Sequence, residues 1–229
     1  NFKKMNNFKK KLIEIISSFD EIPLSEDDLK FKISIGLKEN FNFLKITPEY
    51  PIPKQILNIN NHNHYIDIMI QDNLEFIPIE LKFKTKRLDL KRSVLGSKIL
   101  LSLKNQQAQN LSKYSFWKDV SRIEKLKNEN KNVTKGFQVF LTNDIHYVIS
   151  KKNTSQSYNF NMANKRKTYK GEELFWIYLG NKVEKVCESN FKKRTFYNKK
   201  NITLSGCYDL SWNNIKIKKE EFYLLIVEI

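Results

Sequence analysis

Apolar residues recur at helical spacing near the start of the chain and give way to alternation further on. Met5, Phe8, Leu12, Ile15, Ile16 and Phe19 fall on one helical face with lysines opposite, which predicts an amphipathic helix over 5–19. Ser25 offers an N-cap, and Glu26, Asp27 and Asp28 suit the positive end of a helix dipole. Leu29, Ile33, Leu37 and Phe41 then continue at i+4 steps. The same segment also alternates (Phe31, Ile33, Ile35, Leu37), so a strand competes; the capping signals favour a helix. Residues 43–53, FLKITPEYPIP, are apolar and Pro-rich, the signature of an edge strand. Residues 65–86, YIDIMIQDNLEFIPIELKFKTK, read as two strands joined by a turn. A basic loop is expected over 85–97. A long helix follows over 100–128, either whole or broken near Asn110 or Lys113, with Ala108, Leu111, Ser115, Val120, Ile123 and Leu126 as its apolar stripe. Residues 136–143 form a buried-type strand with which 147–149 can pair. Residues 150–170 turn polar, the mark of an exposed loop. Further strands are expected over 174–179, 202–210 and 221–228. The fold class is α/β, with a main unit over 1–149 and a C-terminal elaboration over 150–229 packed on the same domain.

The 65–86 hairpin carries charges that do not suit a buried strand pair. Strand side chains alternate between faces. Ile77, Ile79, Leu81 and Phe83 share one face and Pro78, Glu80, Lys82 and Lys84 the other. On the first strand Ile66, Ile68 and Ile70 share a face, with Tyr65, Asp67 and Met69 opposite. A turn centred between Asn73 and Leu74 sets Asp67 directly across from Glu80, with Cβ atoms about 4.5–5.5 Å apart. Two carboxylates so placed need a shared proton or a cation. Hard oxygen ligands completed by water suit Mg²⁺, with Mn²⁺ as the alternative. Lys82 lies beside them, placed to orient or deprotonate a water or to stabilise charge on a phosphate. The simpler account is a solvated hairpin face. The opposed carboxylates, the adjoining lysine and the charge of the whole chain favour a site.

That charge is large: 41 Lys and Arg stand against 25 Asp and Glu in 229 residues, a formal +16. A polyanion is the natural partner, and nucleic acid fits best. Phosphate contacts are expected from Lys84, Lys86, Arg87, Lys91 and Arg92, from Lys165, Arg166 and Lys167, and from Lys192, Lys193 and Arg194, with Lys113 on the long helix. Tyr158, Phe160, Tyr169, Phe191, Phe196 and Tyr197 lie among them as candidates for base stacking. Cys187 and Cys207 are not in a CxxC pair, which disfavours a zinc site and suggests a reduced, cytoplasmic setting. Apolar runs are too short to span a bilayer, so no membrane partner is expected. The basic-then-apolar N-terminus is interrupted by Glu14 and is read as a helix rather than a signal peptide. His62-Asn63-His64 spells the letters of a known nuclease motif without its ββα spacing, and is set aside.

Asp67, twelve intervening residues, then Glu80-Leu81-Lys82 resembles the D…(D/E)xK signature of the PD-(D/E)xK nuclease superfamily, over roughly residues 41–143. Ile66 stands where the family often has Pro. The resemblance implies an αβββαβ core with a mixed sheet flanked by helices. It implies Mg²⁺ on Asp67 and Glu80, Lys82 assisting the attacking water, and an upstream acid, for which Glu49 is the first candidate and Glu39 the second. Some members place a Gln on the following helix; Gln109, with Tyr114, is similar, and Gln106 and Gln107 are equally available. Residues 113–126 and 136–144 are similar to bacterial restriction or defence nucleases. Within them Asp119, Arg122 and Glu124 read as surface or salt-bridged residues of a helix rather than catalytic ones. The implied activity is DNA cleavage by a restriction- or defence-type endonuclease, as a homodimer cutting both strands. A repair or recombination nuclease of the same fold and a non-catalytic nucleic-acid-binding protein are the alternatives.

Overall fold

In the computed structural model, which describes residues 7–54, 64–106, 108–149, 157–179, 183–185 and 201–229, the alternating segments assemble into one mixed sheet. Its strands are β1 (Lys45–Ile52), β2 (His64–Asp72), β3 (Glu75–Lys84), β6 (Phe137–Thr142), β12 (Glu220–Glu228) and β11 (Trp212–Ile217), in that spatial order. β3 and β6 run parallel and every other neighbouring pair is antiparallel. A parallel neighbour needs a long crossover. Here the crossover holds the hairpin β4 (Leu88–Val94) and β5 (Ser97–Leu103), then helix α3 (Gln109–Glu129). Helices α1 (Phe8–Ser17) and α2 (Glu26–Asn40) precede the sheet, and β1 lies at its edge, where its prolines cost no ladder bond.

Each face of the sheet has its own core. On one, Phe8, Leu12 and Ile16 of α1 and Leu29, Ile33 and Leu37 of α2 pack on Ile68, Ile79, Leu81, Val139 and Leu224. On the other, Phe116, Trp117, Val120 and Ile123 of α3 pack on Phe140 and Leu225, with Phe160, Trp176 and Tyr208 from the C-terminal part. β6 is buried on both faces, with Phe137, Val139, Phe140 and Leu141 apolar and Gln138 and Thr142 as buried polar residues. β12 and β11 extend this sheet, so the chain beyond residue 150 helps complete the central layer. Short pairs β7 (Glu173–Leu174) with β10 (Ile202–Thr203) and β8 (Ile177–Leu179) with β9 (Val183–Lys185) lie outside it.

The segment at 26–40 is a helix: the Ser25 hydroxyl accepts the Asp28 amide, and the alternating Phe31 and Ile35 are exposed. The expected loop at 85–97 is instead most of the β4–β5 hairpin, which takes residues to 103, so α3 begins only at Gln109 and runs unbroken. Its turn places Leu95 and Gly96 at φ +50° and +79°. A Leu in that left-handed position hides the usual Asn-Gly turn signal. Residues 147–149 add no strand; Ile145–Tyr147 is a 3-10 turn capped by the Asp144 carboxylate, which accepts the His146 amide. The polar segment after 150 buries Phe160, Met162 and Ala163 within the residues described. Residues 204–210 form no strand, and β11 carried too little alternation to be expected. Cys207 is an exposed free thiol; Cys187, His62, Gln107, Phe191, Phe196, Tyr197 and the 192–194 basic run lie outside the described residues.

Candidate active site

The hairpin pairs Asp72 with Glu75 through to Ile68 with Ile79, the alignment that its turn predicts, and stops one pair short of Asp67 and Glu80. Beyond Ile79, the flank of β3 that faced β2 is open, and two amides there take carboxylates in place of ladder carbonyls. Leu81 N–H donates to Asp67 Oδ2 at 2.7 Å, and Phe83 N–H donates to Glu26 Oε2 at 2.9 Å. Asp67 thus reaches the peptide between Glu80 and Lys82 by its side chain rather than by strand pairing.

The distortion has a backbone source. Glu49 and Asp67 fall between the pairs Pro48–Ile68 and Tyr50–Ile66, and Glu49 has φ +51°. A non-glycine residue there is strained. The kink reverses the faces: Ile68 and Ile70 join the α1/α2 core, whereas Ile66 packs with Ile52, Met69, Leu126 and Val133. Strict alternation had placed Ile66 with Ile68, and it fails at this point.

Helices from both layers supply cations. Lys30 of α2 contacts Glu49, stands 3.1 Å from Asp27 and 3.5 Å from Asp67 Oδ1. Burial would lower its amine, but Glu49, Asp27 and Asp67 outweigh this and hold it above the usual lysine range. On the α3 side, Arg122 Nε lies 2.8 Å from Glu80 Oε1, and its other end hydrogen-bonds Asp119. Asp119 Oδ2 in turn lies 2.8 Å from Lys82 Nζ. Glu26 is 3.8 Å from both Lys82 and Lys84. Burial, opposed by the carboxylates of Asp119 and Glu26, leaves the Lys82 amine above its ordinary range, so it is a fixed positive charge. Glu80, 2% exposed, is pushed well above the usual carboxylate range, first by burial and then by Asp119, with Arg122 opposing.

Asp67, Glu80, Lys82 and Glu49 are therefore gathered in one charged cluster. Glu39 lies elsewhere, in a groove between α1 and α2. Sequence reading missed Glu26, Lys30, Asp119 and Arg122 as members. Glu26 had been read only as a helix-dipole residue, and Lys30 is one lysine among many. Of the three helix residues read as surface or salt-bridged, Asp119 and Arg122 are ion-paired, and Asp119 and Glu124 are buried because α3 is covered by the C-terminal part as well as by the sheet.

The expected phosphate contacts are more dispersed. Lys86, at 3.2 Å, and Gln109 both reach buried Asp144, whose carboxyl lies below its usual range: the His146 amide, Lys86 and Gln109 outweigh burial. Lys113 is 1% exposed and directs its amine at the His146 carbonyl. Arg166 is bound to the carbonyls of Asn159 and Asn161 and to Glu172, and lies over Trp117. Lys113 is internal and Arg166 is partly buried. Lys84 is half-buried, while Arg87 and Lys165 are exposed.

The donor chemistry fits a hard divalent cation. Magnesium is commonly held by one or two protein carboxylates with water and substrate phosphate filling the shell. Asp67 and Glu80 supply two, and buried Glu80 Oε1 has an ion pair but no well-directed hydrogen bond. Among the described residues, no group of three or more His, Cys, Asp or Glu side chains is arranged around one metal position. No described helix is long and apolar enough to cross a membrane. Comparison of the chain with protein-family models, with curated proteins and with solved structures finds no match.

Proposed function

We propose that the protein is a Mg²⁺-dependent endonuclease that hydrolyses phosphodiester bonds in DNA, with α2, β1, β2, β3, α3 and β6 as a restriction-endonuclease-like αβββαβ core and a restriction or defence role. The observation that carries the reading is the Asp67 carboxylate bound at the Leu81 amide, between Glu80 and Lys82, on an opened strand flank. That arrangement sets two acids and a fixed cation around one stretch of backbone. Asp67 and Glu80 would hold the metal, which when bound polarises a phosphoryl oxygen and lowers the pKa of a coordinated water. Lys82 contributes a positive charge toward the anionic transition state. Lys30 neutralises the Asp67 and Glu49 side. The excess of 16 positive charges draws the polyanion to the protein.

The test is incubation of supercoiled plasmid with the protein, with and without Mg²⁺, beside Asp67→Ala and Lys82→Ala. The expected outcome is nicking or linearisation by wild type only, and only with metal. A gel shift without cutting under any condition would make this a binding protein. Cleavage that survives Asp67→Ala would move the site elsewhere.

A further inference from the structure

We infer that Asp119 and Arg122 of α3 are positioning residues for this site, an inference that rests on the nuclease reading. They close a ring of alternating charge, Lys82–Asp119–Arg122–Glu80, that fixes the two β3 side chains relative to each other. The links are Lys82 Nζ to Asp119 Oδ2 at 2.8 Å, Asp119 Oδ1 to Arg122 Nη2, and Arg122 Nε to Glu80 Oε1 at 2.8 Å.

The ring follows from two matched spacings. Positions i and i+2 of a strand share a face about 6.5 Å apart. Positions i and i+3 of a helix are surface neighbours about 5–6 Å apart. Glu80 and Lys82 are the first kind of pair, Asp119 and Arg122 the second, and α3 sets Asp119 against Lys82 and Arg122 against Glu80. The opposite order would face like charges across the interface.

Packing alone does not call for these residues. The neighbouring α3 side chains Phe116, Trp117, Val120 and Ile123 are fully buried and apolar, and desolvating two charges among them opposes folding. Only one link of the ring, Arg122 Nη2 to Asp119 Oδ1, is a well-directed hydrogen bond. Glu80 Oε1, Asp119 Oδ2 and Arg122 Nε are all buried without a well-directed hydrogen-bond partner. Ion pairs therefore make the two links to β3, Lys82 to Asp119 and Glu80 to Arg122, while Lys82 Nζ also donates to the Leu81 carbonyl at 3.0 Å. One guanidinium touching both acids, Glu80 and Asp119, makes Arg122 the link on which the spacing depends.

The experiment measures steady-state cleavage of a DNA substrate with Mg²⁺ by wild type, Asp119→Asn, Arg122→Ala and Arg122→Lys, with melting curves on each. Loss of positioning lowers kcat about tenfold or more and leaves KM for DNA within about twofold. Added guanidinium restores part of the Arg122→Ala rate, which repair of a general folding defect would not do. In a double-mutant cycle, Asp119→Asn adds little to Lys82→Gln because both break one link. Wild-type kcat in folded Asp119→Asn and Arg122→Ala would overturn the inference while leaving the nuclease reading intact. A rise in KM at unchanged kcat would overturn it too, marking substrate contact. If wild type itself does not cut, the nuclease reading fails and the positioning role falls with it. Should Arg122→Ala not fold, the near-isosteric Asp119→Asn and the charge-preserving Arg122→Lys decide.

Discussion

Two glutamates are buried beside α3, Glu80 on β3 and Glu124 on α3 itself, and they are held in opposite ways. Glu124 Oε1 accepts from the Ser205 and Gly206 amides at 2.7 Å each and from the Tyr208 hydroxyl at 2.6 Å. These neutral donors tie the segment before β11 to α3, and burial together with Glu124 raises the Tyr208 hydroxyl so that it stays protonated. Glu80 has instead a guanidinium shared with a second acid. Neutral donors on fixed backbone commit a carboxylate to structure. A side-chain cation balances the carboxylate's charge and holds it by an ion pair. Partner type, rather than depth of burial, distinguishes the two acids, and on the proposed function Glu80 is the one assigned to chemistry.

The comparison breaks most sharply in the two alanine variants. Glu80→Ala is expected to remove DNA cleavage, by about 10²-fold or more, with chelation by EDTA doing the same to wild type. Glu124→Ala is expected to lose about 3 kcal/mol by stranding buried donors, read as a urea midpoint, while the folded fraction keeps its rate. Equal effects of the two on both readouts would erase the distinction.

Asp144 provides a smaller test of the same rule, since amide, amide side chain and ammonium donors all hold it. Its folded pKa lies below the usual value, so it stabilises the fold above about pH 4 and loses that contribution as pH falls through the lowered value. Asp144→Asn should cost about 1–2 kcal/mol at neutral pH and should flatten the loss of stability that wild type shows toward about pH 3. Urea titrations at the two pH values measure both. An unchanged acid limb would show that this carboxylate is not linked to folding.

The smallest expected effect sharpens the role of Glu49. Glu49→Gly relieves a left-handed backbone worth about 1 kcal/mol while removing the contact to Lys30. Stability should stay within about 1 kcal/mol of wild type. A fall in cleavage rate at unchanged midpoint would place Glu49 in the chemistry, and an unchanged rate would make it a backbone device.

Local chemistry wrote much of the fold into the sequence. Ser25 with three following acids defined the start of α2, Asn73 and Leu74 centred the hairpin, and the run at 136–143 announced a buried-type strand. These signals act within a few residues, so they are legible one segment at a time. The β4–β5 hairpin was not, because its turn uses Leu95 at a positive φ. β11 was not, because it is half-exposed and gains its place only by pairing with β12.

For the candidate site, the sequence determined which side chains share a strand, Glu80 and Lys82 following from a period of two, whereas the Asp67–Glu80 pair expected from the turn lies beyond the end of the ladder. Only the tertiary structure decided what those charges meet. The kink at Glu49 freed Asp67 to bind the Leu81 amide, α2 brought Lys30 and Glu26, and the α3 crossover set Asp119 and Arg122 against β3. Periodicity fixes direction within an element, whereas the partners of a buried charge depend on how separate elements pack, and lysine-rich sequence gives no sign of which lysine is enclosed.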